Sequence, residues 1–302
     1  MWFRNLRVFR LDEGWSFDAA ALNRLLLQAQ FQPCGAIDLQ SQGWVPPRGE
    51  PEEMVVSVGG QQLIALGTEQ KLLPGSVVRQ YVTERAGELE VQQGYKPGRG
   101  QMREIREQVT AELLPRAFVR RRLTYVWIDP VGRWLGIDVA SAAKADEVIE
   151  QLKLALDGLP LLPLRTALSP SSAMTEWLAE GEGPMGFSID RDCELRSQAE
   201  EKATVRYSRH VLAADEIRPH LLAGKKATRL AMTRDDRLSF VLTEDMHIKR
   251  LAFLDVLKEQ AEQAAGDGDV AALFEADFAI MAGEFSRFLP ALVNALGGES
   301  DV

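Results

Sequence analysis

Residues 71–129, KLLPGSVVRQYVTERAGELEVQQGYKPGRGQMREIREQVTAELLPRAFVRRRLTYVWID, decide the fold class. After Pro74, the residues Val77, Val78, Tyr81, Val82, Arg85 and Leu89 recur at helical spacing. Met102, Ile105, Arg106, Val109 and Leu113 repeat that spacing, and the glycine-rich, basic segment GYKPGRG (94–100) lies between the two sets. Two helices joined this way read as an antiparallel helical hairpin. Pro115 closes the second helix, and LTYVWID (123–129) then reads as a strand.

Working outward, residues 2–11 alternate well enough for a strand, and residues 18–30 place Leu22, Leu25, Leu26 and Ala29 on one helical stripe behind Asp18, a candidate cap. The stretch 43–47 reads as a loop or turn because of Pro46 and Pro47. Short β runs at 54–58 and 62–66 flank Gly59-Gly60, a hairpin signal. Downstream, 134–139 predicts a strand and 142–156 a helix with Val148, Ile149, Leu152 and Leu156 inward. Residues 159–164, broken by Pro160 and Pro163, predict an edge strand or extended linker. Residues 169–172 interrupt both periodicities, which places a domain seam near 165–175.

Beyond the seam come a helix at 173–180, a glycine-rich loop at 181–186, a strand around 204–207 and a helix near 214–223. The runs 228–233 and 238–242 flank Asp235-Asp236 as a hairpin, with 248–253 a possible third strand. The last fifty residues are acidic and helical, with Phe274, Phe278, Ile280, Met281, Phe285, Phe288 and Leu292 as the apolar set. Strands and helices occur in runs without regular βαβ alternation, so the expected class is α+β. The expected division is a sheet-rich central region (1–73 and 115–168), a helical-hairpin tip (74–114), and a second α+β half with an acidic helical base (169–302).

The chain has 302 residues and a formal charge of −9, which alone disfavours nucleic-acid binding. The average conceals segregation: residues 71–122 carry 11 basic and 6 acidic side chains, residues 196–250 carry 12 and 8, and residues 251–302 carry 2 and 10. Two basic blocks sit in an acidic body, so one surface can attract a polyanion while the rest stays soluble; ordinary solvated helix faces are the alternative. No apolar run is long enough to span a bilayer, and the N-terminus lacks the pattern of a signal peptide. Cys34 and Cys193 fall in no motif, which suits a reduced, cytoplasmic protein.

Motifs for enzyme chemistry are missing. There is no GxxxxGK[ST] phosphate loop, and Gly224-Lys225-Lys226 reads as a basic turn. His210, His220 and His247 form no zinc-ligand pattern, no serine lies in a nucleophile elbow, and neither a metal nor a cofactor is expected. Acidic pairs such as Asp235-Asp236 keep a metal-dependent nuclease open as a minor reading. The most informative stretch is LLPRAFVRRRL (113–123), where Arg116, Arg120, Arg121 and Arg122 surround Phe118. Such a cluster neutralises phosphates whatever the base sequence. An exposed Phe118 would stack on or wedge between bases, whereas a buried one would merely pack where helix meets strand. Arg206, Arg209 and His210 follow a short strand and either line the same surface or are simply solvated.

The stretches FxPCG (31–35), GWVPP (43–47), KLLP (71–74), LLPRAF (113–118) and WID (127–129) occur in one order with TEW (175–177), GF (186–187), AGK (223–225), IKRLAF (248–253) and FxADFxxMxGE (274–284). Together they resemble the recombination-associated RdgC family over essentially the whole chain. The resemblance implies a cytoplasmic, nucleoid-associated protein that binds double-stranded DNA, and single-stranded DNA as well, without strong sequence preference. It also implies a ring-shaped homodimer with a basic central hole, restraint of RecA-promoted strand exchange, and no catalytic activity. By the same resemblance the DNA-facing aromatic falls on Phe118, and the basic and polar residues after the strand preceding AGK fall on Arg209 and His210. Ser208-Arg209-His210 stands where the family pattern has Lys-Lys-Gln, so the charge is kept and the amide lost. Lys225 and Lys226 complete the expected DNA-binding set. The alternative is a protein-interaction factor whose basic face takes an acidic partner.

Overall fold

The computed structural model describes residues 1–300 other than 16, 51, 157, 160, 200 and 267, so Pro160 lies outside the described residues. The first half runs β1 (Leu6–Leu11), α1 (Ala19–Gln28), β2 (Gln40–Val45), β3 (Val56–Val58) and β4 (Gln61–Leu72). The helical hairpin α2 (Gly75–Gln93) and α3 (Arg99–Leu113) follows, then a 3-10 turn (Leu114–Arg116), β5 (Phe118–Asp129), β6 (Trp134–Ile137), α4 (Ala142–Ala155) and β7 (Leu161–Pro163). The rest is α5 (Pro170–Glu180), β8 (Phe187–Ser197), β9 (Thr204–Tyr207), α6 (Ala214–Leu222) and β10 (Lys225–Arg234), followed by β11 (Leu238–Thr243), β12 (His247–Phe253), α7 (Asp255–Ala265) and α8 (Val270–Ala295).

Local chemistry explains most of these boundaries. Asp18 caps α1 by accepting from the Ala21 N–H at 2.7 Å. Gly94, at φ 81°, ends α2 in the left-handed conformation glycine adopts freely. The hairpin then closes on Val78, Val82, Ile105 and Val109. Asp235 and Asp236, both left-handed, make the tight β10–β11 turn.

Four expectations change. Lys225 and Lys226, expected in a basic turn, open strand β10 and pair with Ser197 and Arg196. The stretch 43–47 is partly strand, because only Pro46 and Pro47 lie beyond β2. Gly43 is required there, since a Cβ would come within 2.4 Å of the Phe31 Cα. β5 begins at Phe118, upstream of its apolar part, and the intervening arginines conceal it from a reading based on hydrophobic alternation. β8, FSIDRDCELRS, has no counterpart in the sequence reading for the same reason.

All the named strands join one 12-stranded sheet, ordered β2-β4-β5-β6-β1-β12-β11-β10-β8-β9, with β3 beside β4 and β7 beside β1. On one face α8 supplies an aromatic row: Phe285 lies 5.1 Å from Trp127 and 5.6 Å from Phe253, and Phe288 lies 4.9 Å from Phe240. α5 and α7 extend this cover through Met174, Leu178 and Leu257. On the other face α1 and α4 pack Leu22, Leu26, Val148 and Leu152 against Ile64, Leu66, Val126, Ile128, Leu135 and Ile137. That second cover lies over β1, β2, β4, β5 and β6, with Leu161 of β7 at its edge.

One buried carboxylate ties α8 to the β10–β11 turn. Glu284 accepts from Arg237 at 2.6 Å and from Arg287 at 2.5 Å. Burial works to raise its pKa, but these bonds outweigh burial and hold the carboxyl below the usual range. A depressed folded-state pKa means that this stabilisation is complete above the ordinary glutamate value and is lost as pH falls through the lower one. Glu284→Gln should therefore cost about 1–2 kcal/mol near pH 7. In thermal melts across pH, that deficit should shrink below about pH 4.5.

Candidate nucleic-acid interface

β4 and β5 are 12 residues each, and their paired outer ends carry the helical hairpin as a two-stranded stalk. There Leu72 pairs with Phe118, Gln70 with Arg120 and Thr68 with Arg122. Alternation sends Phe118, Arg120 and Arg122 to one side and Arg121 to the other. Phe118 is 84% exposed, which removes the core-packing reading. Arg116, on the 3-10 turn, and Arg122 are exposed and have no side-chain partner among the described residues. Among the described residues Arg120 donates only to the Gln70 Oε1, at 2.9 Å.

Arg121 is differently employed. Its Nε donates to Glu69 at 2.6 Å, and its guanidinium carbon lies 5.9 Å from the Phe31 ring centre. The Cys34 N–H and Arg121 together hold the Glu69 carboxyl below its ordinary range. Arg121 thus pins the 31–39 loop to the stalk, with its charge matched by Glu69.

The stalk side bearing Arg122 continues across the sheet, because directly paired residues share a face. Val126, two pleats beyond Arg122, pairs with Ile137, Ile137 with Arg7, and Arg7 with His247. Lys249, on the same side as His247, pairs with Val241, and Val241 with Ala231. Arg229, on the same side as Ala231, pairs with Glu194, and Glu194 with Arg206. Phe118, Arg120, Arg122, Lys249, Arg229 and Arg206 therefore share one face of one sheet. α1 and α4 cover its middle, where Asp146 and Glu150 of α4 are exposed. The cations form two fields flanking that cover. The opposite face is covered by the strongly acidic segment that contains α7 and α8.

In the second field Arg209 has φ 54° and an exposed side chain, and its N–H donates to Asp192 at 2.7 Å. His210 lies 2.8 Å from Glu216 and stacks on Tyr207 at 5.7 Å, so it serves the local structure. Lys225 is half-buried, 3.5 Å from the His220 Nδ1, whereas Lys226 is exposed without a side-chain partner among the described residues. Sequence reasoning left Arg229, Lys249 and Arg250 out of the site. The alternation Arg229-Leu230-Ala231-Met232 in β10 carried the signal for the first of them.

Asp235 and Asp236 stand in the β10–β11 turn, with Asp235 held by Arg234 at 3.4 Å. Among the described residues no three His, Cys, Asp or Glu side chains converge as a metal site. Burial pushes the Cys193 thiol up to about 12, which disfavours its thiolate. No described helix is long and apolar enough to cross a membrane.

A protein-family model described as "Putative exonuclease, RdgC" matches residues 1–299. The recombination-associated protein RdgC of Dechloromonas aromatica is 55% identical over 302 residues, covering 99% of this chain and 98% of its own. Those of Cupriavidus necator and Janthinobacterium sp. are 54% and 52% identical over 299 residues, each covering 99% of both chains.

Truncating an exposed ring leaves no cavity, whereas a core Phe→Ala costs about 3–5 kcal/mol. Phe118→Ala should accordingly leave the calorimetric melting midpoint within about 1 °C of the parent's, since surface substitutions change stability by under about 0.5 kcal/mol.

Proposed function

The chain belongs to the RdgC family, and we propose that it binds duplex DNA without sequence preference and limits RecA-promoted recombination by occupying that DNA. The observation that carries this reading is the division of charge by the sheet: unpaired arginines on one face, an acidic helical layer on the other. Arg116, Arg120 and Arg122 neutralise phosphates at the stalk, and Arg209 and Lys226 do so in the second field, with Lys225 behind them. Counterion release then supplies most of the affinity, and no base need be read. Phe118, fully presented beside these cations, adds stacking or wedging. Single-stranded DNA offers the same phosphates and freer bases.

A homodimeric ring completes the proposal. Closed two-fold symmetry would bring the same surfaces of two copies together and line the enclosed space with their cationic faces. Val91 and Tyr95, exposed at the end of the helical hairpin, suit the contact of one tip with another. Exclusion of RecA filaments needs only occupancy, without chemistry. Cytoplasmic, nucleoid-associated localisation follows from the same reading.

The test is fluorescence anisotropy on a random-sequence duplex at several salt concentrations without metal. Affinity should fall steeply with salt, and Arg116→Gln/Arg120→Gln/Arg122→Gln should make the log–log slope shallower by about 2 to 3. Salt-insensitive binding by the parent would overturn the reading. The family description keeps exonuclease chemistry as a second reading. End-labelled duplex with magnesium or manganese decides it: intact label supports binding alone, and label release establishes a nuclease.

A further inference from the structure

In the second cationic field a cavity of about 240 Å³ opens on the sheet over β8, β9, β10, β11 and β12. Arg206, Arg229, Lys249 and Arg250 line it with Asp192 and Glu194. Two of the four cations are fixed by carboxylates. Glu194, only 4% exposed, accepts from Arg206 at 2.5 Å, from Arg196 at 3.0 Å and from the Thr228 hydroxyl at 2.9 Å. Asp192 accepts from Arg250 at 3.2 Å and from the Arg209 N–H.

Arg229 stands across from Glu194 in the strand register and feels its charge, but neither Arg229 nor Lys249 makes a side-chain hydrogen bond or ion pair among the described residues. Four cations thus face two carboxylates in a concave site, where charges repel more strongly than in open water. An oxyanion between Arg229 and Lys249 relieves that repulsion, and a guanidinium offers it a bidentate fork. Backbone strain marks the same place. Arg209 and Arg250, at φ 54° and 49°, are both left-handed, and both converge on Asp192. Non-glycine residues held this way are strained and cluster at ligand sites.

We propose that this cavity is a phosphate-binding pocket in which Arg229 and Lys249 hold the oxyanion, while Asp192 and Glu194 position Arg250 and Arg206 at its rim. It rests on the DNA-binding reading where the phosphate belongs to a nucleic-acid backbone, and stands apart from that reading where the phosphate is free.

The test compares Arg229→Gln/Lys249→Gln with the parent and with Lys153→Gln/Lys258→Gln, a charge-matched control away from the cavity. In duplex titrations across salt, the pocket variant's slope should be shallower than the control's by about 0.9, the value of one phosphate. Inorganic phosphate should raise the melting midpoint of the parent and the control but not of the pocket variant if the site takes a free anion. A difference confined to DNA binding assigns the pocket to backbone phosphodiesters. If the double variant melts well below the parent, Lys249→Gln is judged by the same two readouts, since Lys249 has no side-chain hydrogen bond to lose among the described residues. A pocket variant matching the control in both overturns the proposal. A parent that fails to bind DNA at all overturns the DNA reading and leaves the phosphate melt to judge the pocket.

Discussion

Paired residues on adjacent strands point the same way, and that parity governs this molecule. Carried from β5 through β6, β1, β12, β11, β10 and β8 to β9, it puts residues more than eighty positions apart in sequence on one face. A one-residue slip anywhere along the path would send the downstream cations into the aromatic row of α8. The path is narrowest at β1–β12, where only Leu6–Ile248 and Arg7–His247 pair. α8 spans that joint, with Phe285 touching Trp127 on one side of it and Phe253 on the other. The helix that supplies the aromatic row therefore also fixes the relation between the two cationic fields.

Counting basic residues overstates the charge such a face can offer. Glu69 consumes Arg121, Glu194 consumes Arg206 and Arg196, and Asp192 takes Arg250. Burial alone would raise the pKa of Glu194, yet hydrogen bonds from Arg206 and Thr228 bring it below the ordinary range, so it stays charged at neutral pH. These carboxylates stiffen the surface, and the arginines they leave over are the ones available to a polyanion. Arg121 and Arg122 are adjacent in sequence, and the pleat alone makes one a fastener and the other a free charge.

The helical hairpin, the β10–β11 hairpin and the acidic helical C-terminus were all legible, because apolar spacing and turn residues encode them locally. Both basic blocks were legible from charge counts. The outer half of β5 and all of β8 were not, since strands exposed on one or both faces carry polar residues where alternation would otherwise show. Pairing separates residues that local sequence does not: Arg121 and His210 have acidic partners in Glu69 and Glu216, whereas Arg122 and Arg209 have no ion-pair partner among the described residues. Lys249 and Arg229 become a pair only through two strand registers, which no local motif records.

The claim that one sheet face meets DNA is tested most directly by amide hydrogen exchange with and without a saturating random-sequence duplex. The account predicts protection at the 116–124 stalk and in segments 206–210, 225–229 and 249–250, with α7 and α8 unchanged. Protection confined to α7 and α8, with the stalk exchanging as in the free protein, would contradict it.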